Sequence, residues 1–391
     1  MYRIKTYNTI SSKGLNCFER EQYEVGQDIG HPDALLLRSH KLQEDEVLSS
    51  VTAIARAGAG VNNIPLAHCS ARGIPVFNTP GANANAVKEL VAAAMLLASR
   101  DIVGGIAFAE AQDASMSAQA MGALMEQEKK RFAGAELAGK TLGVVGLGAI
   151  GSLVARLGLD FGMHVVGFDP ALSVEAAWRL PSEVQRMENV QSLFSRSDFV
   201  SLHLPVLDST RGLINAEMLE HFRKGSCLLN FAREEIVSID AIVTALESGR
   251  LRKYVSDFPN PALLGRSDAI MMPHIGASTA EAEENCAVMA ANQLKAFLEH
   301  GNIRNSVNFP AIELERTTEY RLTISNRNQP GMLSHILTLV GDAGLNVADL
   351  LNKSVGDIAY NIIDIEGIPQ PELLDQIRNL DGVINLRVIG S

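Results

Sequence analysis

The run Gly146-Leu147-Gly148-Ala149-Ile150-Gly151 follows the apolar stretch Thr141–Val145 and opens a segment with helical periodicity. Glycines so spaced let the backbone turn tightly. They also let a pyrophosphate approach a helix N-terminus, where unpaired N–H groups and the helix dipole favour an anion. Asp169 stands 18 positions after Gly151, at the end of the run His164–Phe168. A carboxylate there accepts hydrogen bonds from ribose hydroxyls. No Arg flanks it to take a 2′-phosphate, so NAD is expected rather than NADP. A glycine turn that binds nothing is the competing reading. The strand before the turn, the helix after it and the distant Asp169 weigh against that alternative.

Three later segments end an apolar run on a polar residue. Leu228-Leu229-Asn230-Phe231-Ala232-Arg233 sets an Arg at the carboxyl end of a buried strand, expensive unless it meets an anion. A substrate carboxylate suits its planar fork; an ion pair with Glu234, Glu235 or Asp257 is the structural alternative. Asp257 ends Lys253–Ser256 and suits either a nicotinamide carboxamide or a turn cap. His274 follows Met272-Pro273, beside the small-residue turn Ile275–Thr279. Oxidising an alcohol needs a base for the hydroxyl proton as the hydride leaves, and a histidine titrates in the right range. A lone histidine is more often structural; the company of Arg233 and Asp257 shifts that balance.

These residues need a frame that delivers strand ends to one edge. Ala34–Leu37, Val51–Ala55 and Ile74–Phe77 read as strands, the last ending in the turn Asn78-Thr79-Pro80-Gly81. Thr141–Val145, His164–Phe168, Val200–Leu204, Cys227–Phe231 and Tyr254–Ser256 continue the series, with helices between. Apolar runs without alternation predict parallel strands covered on both faces, hence an α/β doubly wound sheet. Ala84–Ser99 is apolar nearly all round, which predicts a buried helix. Residues 112–130 read as a helical excursion or loop, and a long helix is expected over 278–300. Turn residues and charges mark 301–317 as a linker. Beyond it, Tyr320, Leu322 and Ile324 alternate, a helix follows Pro330-Gly331, and the order βαββαβ predicts a ferredoxin-like α+β module.

Bulk properties exclude several classes. The net charge is −11 and no long basic run stands out, so a nucleic-acid partner is not expected. No segment has the length and apolarity of a membrane span or signal peptide. Cys17, Cys69, Cys227 and Cys286 lie far apart with no CxxC or metal spacing. Reduced thiols, a cytoplasmic location and no metal site are therefore expected.

Three motifs in order, GLGAIG with Asp169, LHLPVLDSTRGLIN through LLNFAR, and PHIGAST, resemble the D-isomer-specific 2-hydroxyacid dehydrogenases over roughly residues 30–310. RAGAGVNNI (Arg56–Ile64) and NTPGANANAVKEL (Asn78–Leu90) resemble the members that act on 3-phosphoglycerate. The resemblance implies a Rossmann NAD-binding domain over 92–275. It also implies a discontinuous flavodoxin-like substrate domain over 1–91 and 276–305, with the active site in the cleft between them. It assigns the carboxylate to Arg233 and acid/base work to His274. NAD contacts fall to Gly146, Gly148, Ala149, Ile150, Gly151, Asp169, His203, Pro205, Thr210, Ala232, Arg233, Asp257, His274 and Gly276. Substrate contacts fall to Arg56, Gly58, Ala59, Gly60 and Asn78, with Lys130 or Arg131 of either subunit assisting at the phosphate.

One departure stands out. The family carries a Glu about five residues after the aspartate, paired with the histidine. Here the stretch reads Asp257-Phe258-Pro259-Asn260-Pro261-Ala262 and has no acid. Asn260 is the residue left to hold the imidazole. Three functions follow in order of support: oxidation of 3-phosphoglycerate, reduction of another 2-oxo acid such as 2-oxoglutarate, and NAD(H) sensing without catalysis.

Asn326-Arg327-Asn328-Gln329-Pro330-Gly331 resembles the first turn of an ACT domain, here spanning 317–391. The resemblance implies an L-serine site at Asn326, Asn328 and Asn346, with Asn326 standing where a His is often found. It also implies a homodimer or homotetramer. A purely structural dimerisation module is the alternative.

Overall fold

The computed structural model describes residues 1–390, apart from the side chain of Glu175. The chain divides into two compact units: Met1–Asn83 with Ala280 to the C-terminus, and Ala84–Thr279.

The first unit opens with β1 (Tyr2–Thr6), β2 (Tyr23–Gly26), β3 (Ala34–Leu37), β4 (Ala53–Arg56) and β5 (Val76–Phe77). They form a parallel sheet in the order β2-β1-β3-β4-β5, the flavodoxin-like arrangement. β3 is buried at all four positions, as its unbroken apolar run requires. Helix Ala280–His300 lays Cys286, Ala287, Ala290, Leu294 and Phe297 against this sheet.

The second unit holds β6 (Thr141–Val145), β7 (His164–Phe168), β8 (Gln185–Arg186), β9 (Phe199–Leu202), β10 (Ser226–Asn230), β11 (Leu251–Ser256) and β12 (Ala269–Met271). All pair in parallel, in the order β12-β11-β10-β9-β6-β7-β8. The order reverses between β6 and β9, the switch point where doubly wound sheets bind ligands at strand carboxyl ends. Helix Ala84–Ser99 buries Val87, Val91, Ala94, Met95 and Ala98 in this core. The excursion expected over 112–130 is largely helical, Ala118–Glu128, and an unexpected helix, Ile102–Glu110, precedes it; neither has a buried residue. Among the described residues no single helix is long and apolar enough to cross a membrane.

The C-terminal part of the first unit is β13 (Tyr320–Arg327), β14 (Asn346–Val355), β15 (Ile358–Glu366) and β16 (Val383–Ile389), antiparallel in the order β14-β15-β13-β16. Helices Met332–Asp342 and Pro371–Arg378 bury Ile336, Val340, Leu373 and Ile377 against Leu322, Ile324, Ile363 and Ile365. This is the expected ferredoxin-like topology, and it fits an ACT module. The other face of the sheet is also covered: Ile358, Tyr360 and Ile362 share a core with Phe297, Phe309 and Ile312.

The stretch expected to be a linker is built into that core. Ile303, Phe309 and Ile312 are buried, and the bridges Ile303↔Ile312 and Phe77↔Ser306 fix its path. Arg321, with no exposed surface, clamps it: one guanidinium nitrogen donates to the carbonyls of His300 and Leu314 at 2.8 and 2.9 Å. The others bind both oxygens of the equally buried Asp364, at 2.5 and 2.9 Å. A buried ion pair is tolerable only when its remaining groups are hydrogen-bonded in this way.

Candidate active site

At the carboxyl end of β6 the chain turns at Gly146, with φ +88, a region that favours glycine. A Cβ there would run into the His203 carbonyl. Gly148 caps helix Ala149–Asp160 with no side-chain acceptor on its first turn. A Cβ on Gly148 would meet only open space. First-turn N–H groups thus face an open surface, and Gly148 and Ala149 are exposed. That geometry fits a pyrophosphate. Asp169 braces the turn, accepting from Leu147 N–H at 2.8 Å and Ala171 N–H at 2.9 Å. Ile150 and Gly151 continue the first turn of the helix.

His203 follows β9. Its Nε2 lies 2.8 Å from Ser201 Oγ, while its Nδ1 is buried without a partner. Burial pushes this imidazole down to about 3. Thr210 shapes the next loop, donating to the Pro205 carbonyl at 2.6 Å and accepting from Leu207 N–H at 2.8 Å.

β10, β11 and β12 are neighbours in the sheet, with Asn230 beside Ser256 and Ser256 beside Met271. Arg233, Asp257 and His274 therefore leave the same edge from three consecutive strands, which are spaced about 5 Å apart. Arg233 is exposed, and its Nη1 donates to the carbonyl of its neighbour Ala232 at 2.7 Å. None of the carboxylates offered as structural partners, Glu234, Glu235 and Asp257, forms an ion pair with it. Asn230 shapes the turn that presents it. This fully buried amide accepts from Ala232 N–H at 3.2 Å and donates to the Arg233 carbonyl at 3.0 Å. Sequence reasoning passed over Asn230, although an amide ending an apolar strand was a visible signal.

Asp257 is 3% exposed. Its two oxygens accept from the backbone N–H groups of Ile275 at 2.8 Å and Gly276 at 2.7 Å. It thus holds the loop that carries His274, which adopts φ +56, an uncommon conformation for a residue with a side chain. The His274 ring is exposed and packs on Phe258, 5.0 Å between centroids. Asn260 does not hold the imidazole. Its Oδ1 accepts from Ala262 N–H at 3.1 Å, capping a short turn of 3-10 helix. Among the described residues no carboxylate pairs with His274.

In the first unit, β4 ends at Arg56. Its Nε donates to the Arg38 carbonyl at 2.9 Å and its Nη1 to the Gly60 carbonyl, which fixes the Gly58–Gly60 loop. Asn78, just after β5, donates through Nδ2 to the Ala59 carbonyl at 2.6 Å, and Thr79 N–H reaches the Gly58 carbonyl at 3.1 Å. Arg38, which the sequence reading missed, follows β3 and pairs with Glu283 at 2.6 Å. Burial pushes the Cys286 thiol up, opposed by a hydrogen bond with Thr79 and by the cations Arg38 and Arg56. Its signal was an Arg directly after four buried apolar residues. Lys130 and Arg131 lie on the exposed excursion of the second unit, Arg131 paired with Glu128 at 2.7 Å.

The three candidate effector asparagines are not brought together within one chain. Asn326 is buried, accepting from Asn361 Nδ2 at 2.7 Å and donating to the Arg327 carbonyl at 2.6 Å. Asn328 donates to the Gly356 carbonyl at 3.2 Å, beyond the far end of β14. Asn346 begins β14 and binds Glu366 at 2.8 Å. At about 3.3 Å per residue, Asn328 and Asn346 stand at opposite ends of one long strand.

The second unit matches the model of the D-isomer specific 2-hydroxyacid dehydrogenase NAD binding domain over residues 93–276. D-3-phosphoglycerate dehydrogenase of Haemophilus influenzae is 32% identical over 369 residues, which is 90% of this chain and 85% of that one. The enzyme of the same name from Methanocaldococcus jannaschii is 32% identical over 391 residues, 94% of this chain and 70% of that one. The chain belongs to the D-isomer-specific 2-hydroxyacid dehydrogenases, and NAD is its cofactor. In fold it resembles the NAD+-bound 3-phosphoglycerate dehydrogenase of Entamoeba histolytica, with a TM-score of 0.61, 24% identity, and 80% of this chain and 99% of that one covered. It also resembles the TT0316 protein of Thermus thermophilus, with a TM-score of 0.62, 28% identity, and 78% of this chain and 99% of that one covered.

Proposed function

We propose that the chain oxidises 3-phosphoglycerate to 3-phosphohydroxypyruvate. The observation that carries this reading is Arg233, an exposed guanidinium with no carboxylate partner among the described residues, beside a histidine whose loop Asp257 holds. Arg233 grips the substrate carboxylate and draws charge onto the C2 oxygen. The His274 imidazole takes the C2 hydroxyl proton in oxidation and returns it in reduction. NAD, held by the Gly146–Gly151 turn and Asp169, supplies the hydride acceptor. Asp257 and Gly276 line the nicotinamide site, and His203, Pro205, Thr210 and Ala232 complete its wall. Arg56 and Asn78, with Gly58–Gly60, serve the substrate in the first unit; Arg38 adds a second cation for the phosphate. Lys130 or Arg131, of either subunit, assists at the phosphate.

Residues 92–275 are then the NAD domain, 1–91 and 276–305 the substrate domain, and 317–391 the regulatory module. Support for the substrate class is the name shared by the relatives that cover most of this chain. The test is NADH oxidation at 340 nm with 3-phosphohydroxypyruvate and 2-oxoglutarate in parallel, beside His274→Ala. Turnover that prefers the phosphorylated acid and is lost in the variant supports the reading; turnover only with 2-oxoglutarate moves the substrate to a dicarboxylate. One observation favours NAD(H) sensing instead, the absence of an acid beside His274. Tight NADH binding without turnover of either acid would establish that role.

We further infer a homo-oligomer in the cytoplasm. Support comes from the unburied helices Ile102–Glu110 and Ala118–Glu128, with Val103 and Ile106 more than half exposed. The four cysteines are free thiols. L-serine is the proposed effector of the C-terminal module. Because Asn328 and Asn346 lie at opposite ends of β14, a serine that touches both must bridge two chains. Titration calorimetry with L-serine tests this: a heat signal that fades as the protein is diluted to monomer is expected, and no heat at any concentration would refute it.

A further inference from the structure

The backbone of Asn78 is held on both sides by residues from outside its own segment. Gln293, on helix Ala280–His300 and only 4% exposed, donates from Nε2 to the Asn78 carbonyl at 3.1 Å. Its Oε1 is buried with no partner. The orientation is not arbitrary, because turning the amide over would face oxygen against the Asn78 carbonyl. A buried amide with one unmet acceptor is destabilising compared with an apolar side chain of the same shape. Asn305 makes the second contact. Its φ is +51, and its carbonyl accepts the Asn78 N–H at 3.2 Å. That region is sparsely used outside glycine, and asparagine is among the residues that adopt it most readily. The backbone N–H and carbonyl of Asn78 are thus both fixed by residues far along the chain, and its side chain in turn holds the Ala59 carbonyl.

We propose that Gln293 is a positioning residue for substrate binding: it acts through Asn78 and sets the angle of the Asn78 amide and of the Gly58–Gly60 loop. This rests on the reading of Asn78 as a substrate contact. Its neighbours Ala290 and Leu294 on the helix are buried apolar core, and the amide also borders a cavity lined by Asn292 and Asn305.

The test uses the full-length enzyme, 3-phosphohydroxypyruvate as substrate, and the variants Gln293→Met, Asn78→Ala and the double variant. Met keeps the length and removes the donor. Gln293→Met is expected to raise the substrate KM roughly three- to ten-fold, the factor for one ordinary hydrogen bond. kcat, NADH affinity and the melting temperature should stay near wild type. In the Asn78→Ala background, Gln293→Met should add nothing further to KM, because the two act in series. If Asn78→Ala raises KM and Gln293→Met does not, or if their effects simply add, the positioning role is overturned. If Asn78→Ala leaves KM unchanged, Asn78 itself is not a substrate contact, and the proposal falls with that reading.

Discussion

The substitution Asp257→Asn tests how the acid/base loop is held. The carboxylate accepts two backbone N–H bonds, at 2.8 and 2.7 Å, from a site 3% exposed. Bonds to a charged acceptor are worth about 1.5–3 kcal/mol each. Against them stands His274 at φ +56, a backbone state that costs on the order of 1–3 kcal/mol. An amide keeps one acceptor and turns its NH2 toward the second N–H. One bond is then lost and a buried donor is left unmet, so the remaining hold roughly equals the strain it opposes. The loop should spend most of its time relaxed, with the imidazole off target. We expect kcat to fall about ten- to a hundred-fold, the equivalent of about 1.4–2.8 kcal/mol, with secondary structure intact by circular dichroism. The assay is steady-state NADH oxidation with 3-phosphohydroxypyruvate, beside thermal melting. A well-folded variant with wild-type kcat would refute the idea that these two bonds keep the histidine in place.

Arg233→Lys should raise the substrate KM and lower kcat/KM by at least about a hundred-fold, because an ammonium cannot form the paired bonds of a guanidinium fork; steady-state kinetics will tell. Asp169→Ala should weaken NADH binding about ten-fold and narrow the preference for NAD over NADP. It can be read by energy transfer from Trp178, the one tryptophan of the chain, to bound NADH or NADPH. His203, pushed by burial from 6.5 to about 3, stays neutral in the fold while the unfolded chain takes up a proton near about pH 6.5. Its contribution is therefore lost as pH falls through that window, at up to about 1.4 kcal/mol per pH unit. His203→Gln should remove on the order of 2 kcal/mol of the stability difference between about pH 6.5 and 4.5, measured by urea unfolding; an unchanged difference would refute the buried neutral ring.

Much of this molecule was readable from local pattern. The strand–glycine turn–helix unit and the apolar runs 34–37, 141–145 and 164–168 carry their structure in adjacent residues, because a buried parallel strand leaves no room for polar alternation. β1 and β2 escaped that reading: Tyr2–Thr6 is only partly buried, and Tyr23–Gly26 is an edge strand with one buried position. The stretch 301–317 looked like a solvent-exposed connection because its turn residues are real; that Ile303, Phe309 and Ile312 insert into a core depends on partners hundreds of positions away. The same distance hid the Arg38–Glu283 pair and the service of Gln293 to Asn78, 215 positions apart, while Asp257's hold on Ile275 and Gly276 spans only 18 and 19 positions but runs between two loops that no local pattern links. Asn260 was misread for the opposite reason. It satisfies a neighbour two residues on, the common habit of asparagine before a turn.

The two-sided burial of the C-terminal sheet bears on how this enzyme can be inherited and dissected. A sensor module on a free tether can be gained, lost or exchanged by recombination without touching the rest of the protein. Here β15 gives one face to its own helices and the other to the N-terminal half, Tyr360 Oη donates to the Gly301 carbonyl at 2.9 Å, and Arg387 donates to the carbonyls of Phe297 and Leu298. Deleting residues 317–391 would bare Phe297, Phe309 and Ile312 together and remove the cations that satisfy the end of helix Ala280–His300. A shortened gene would therefore encode a sticky, damaged protein rather than a smaller working one. Any change in what the module binds would have to come through point changes within it, with the module itself retained.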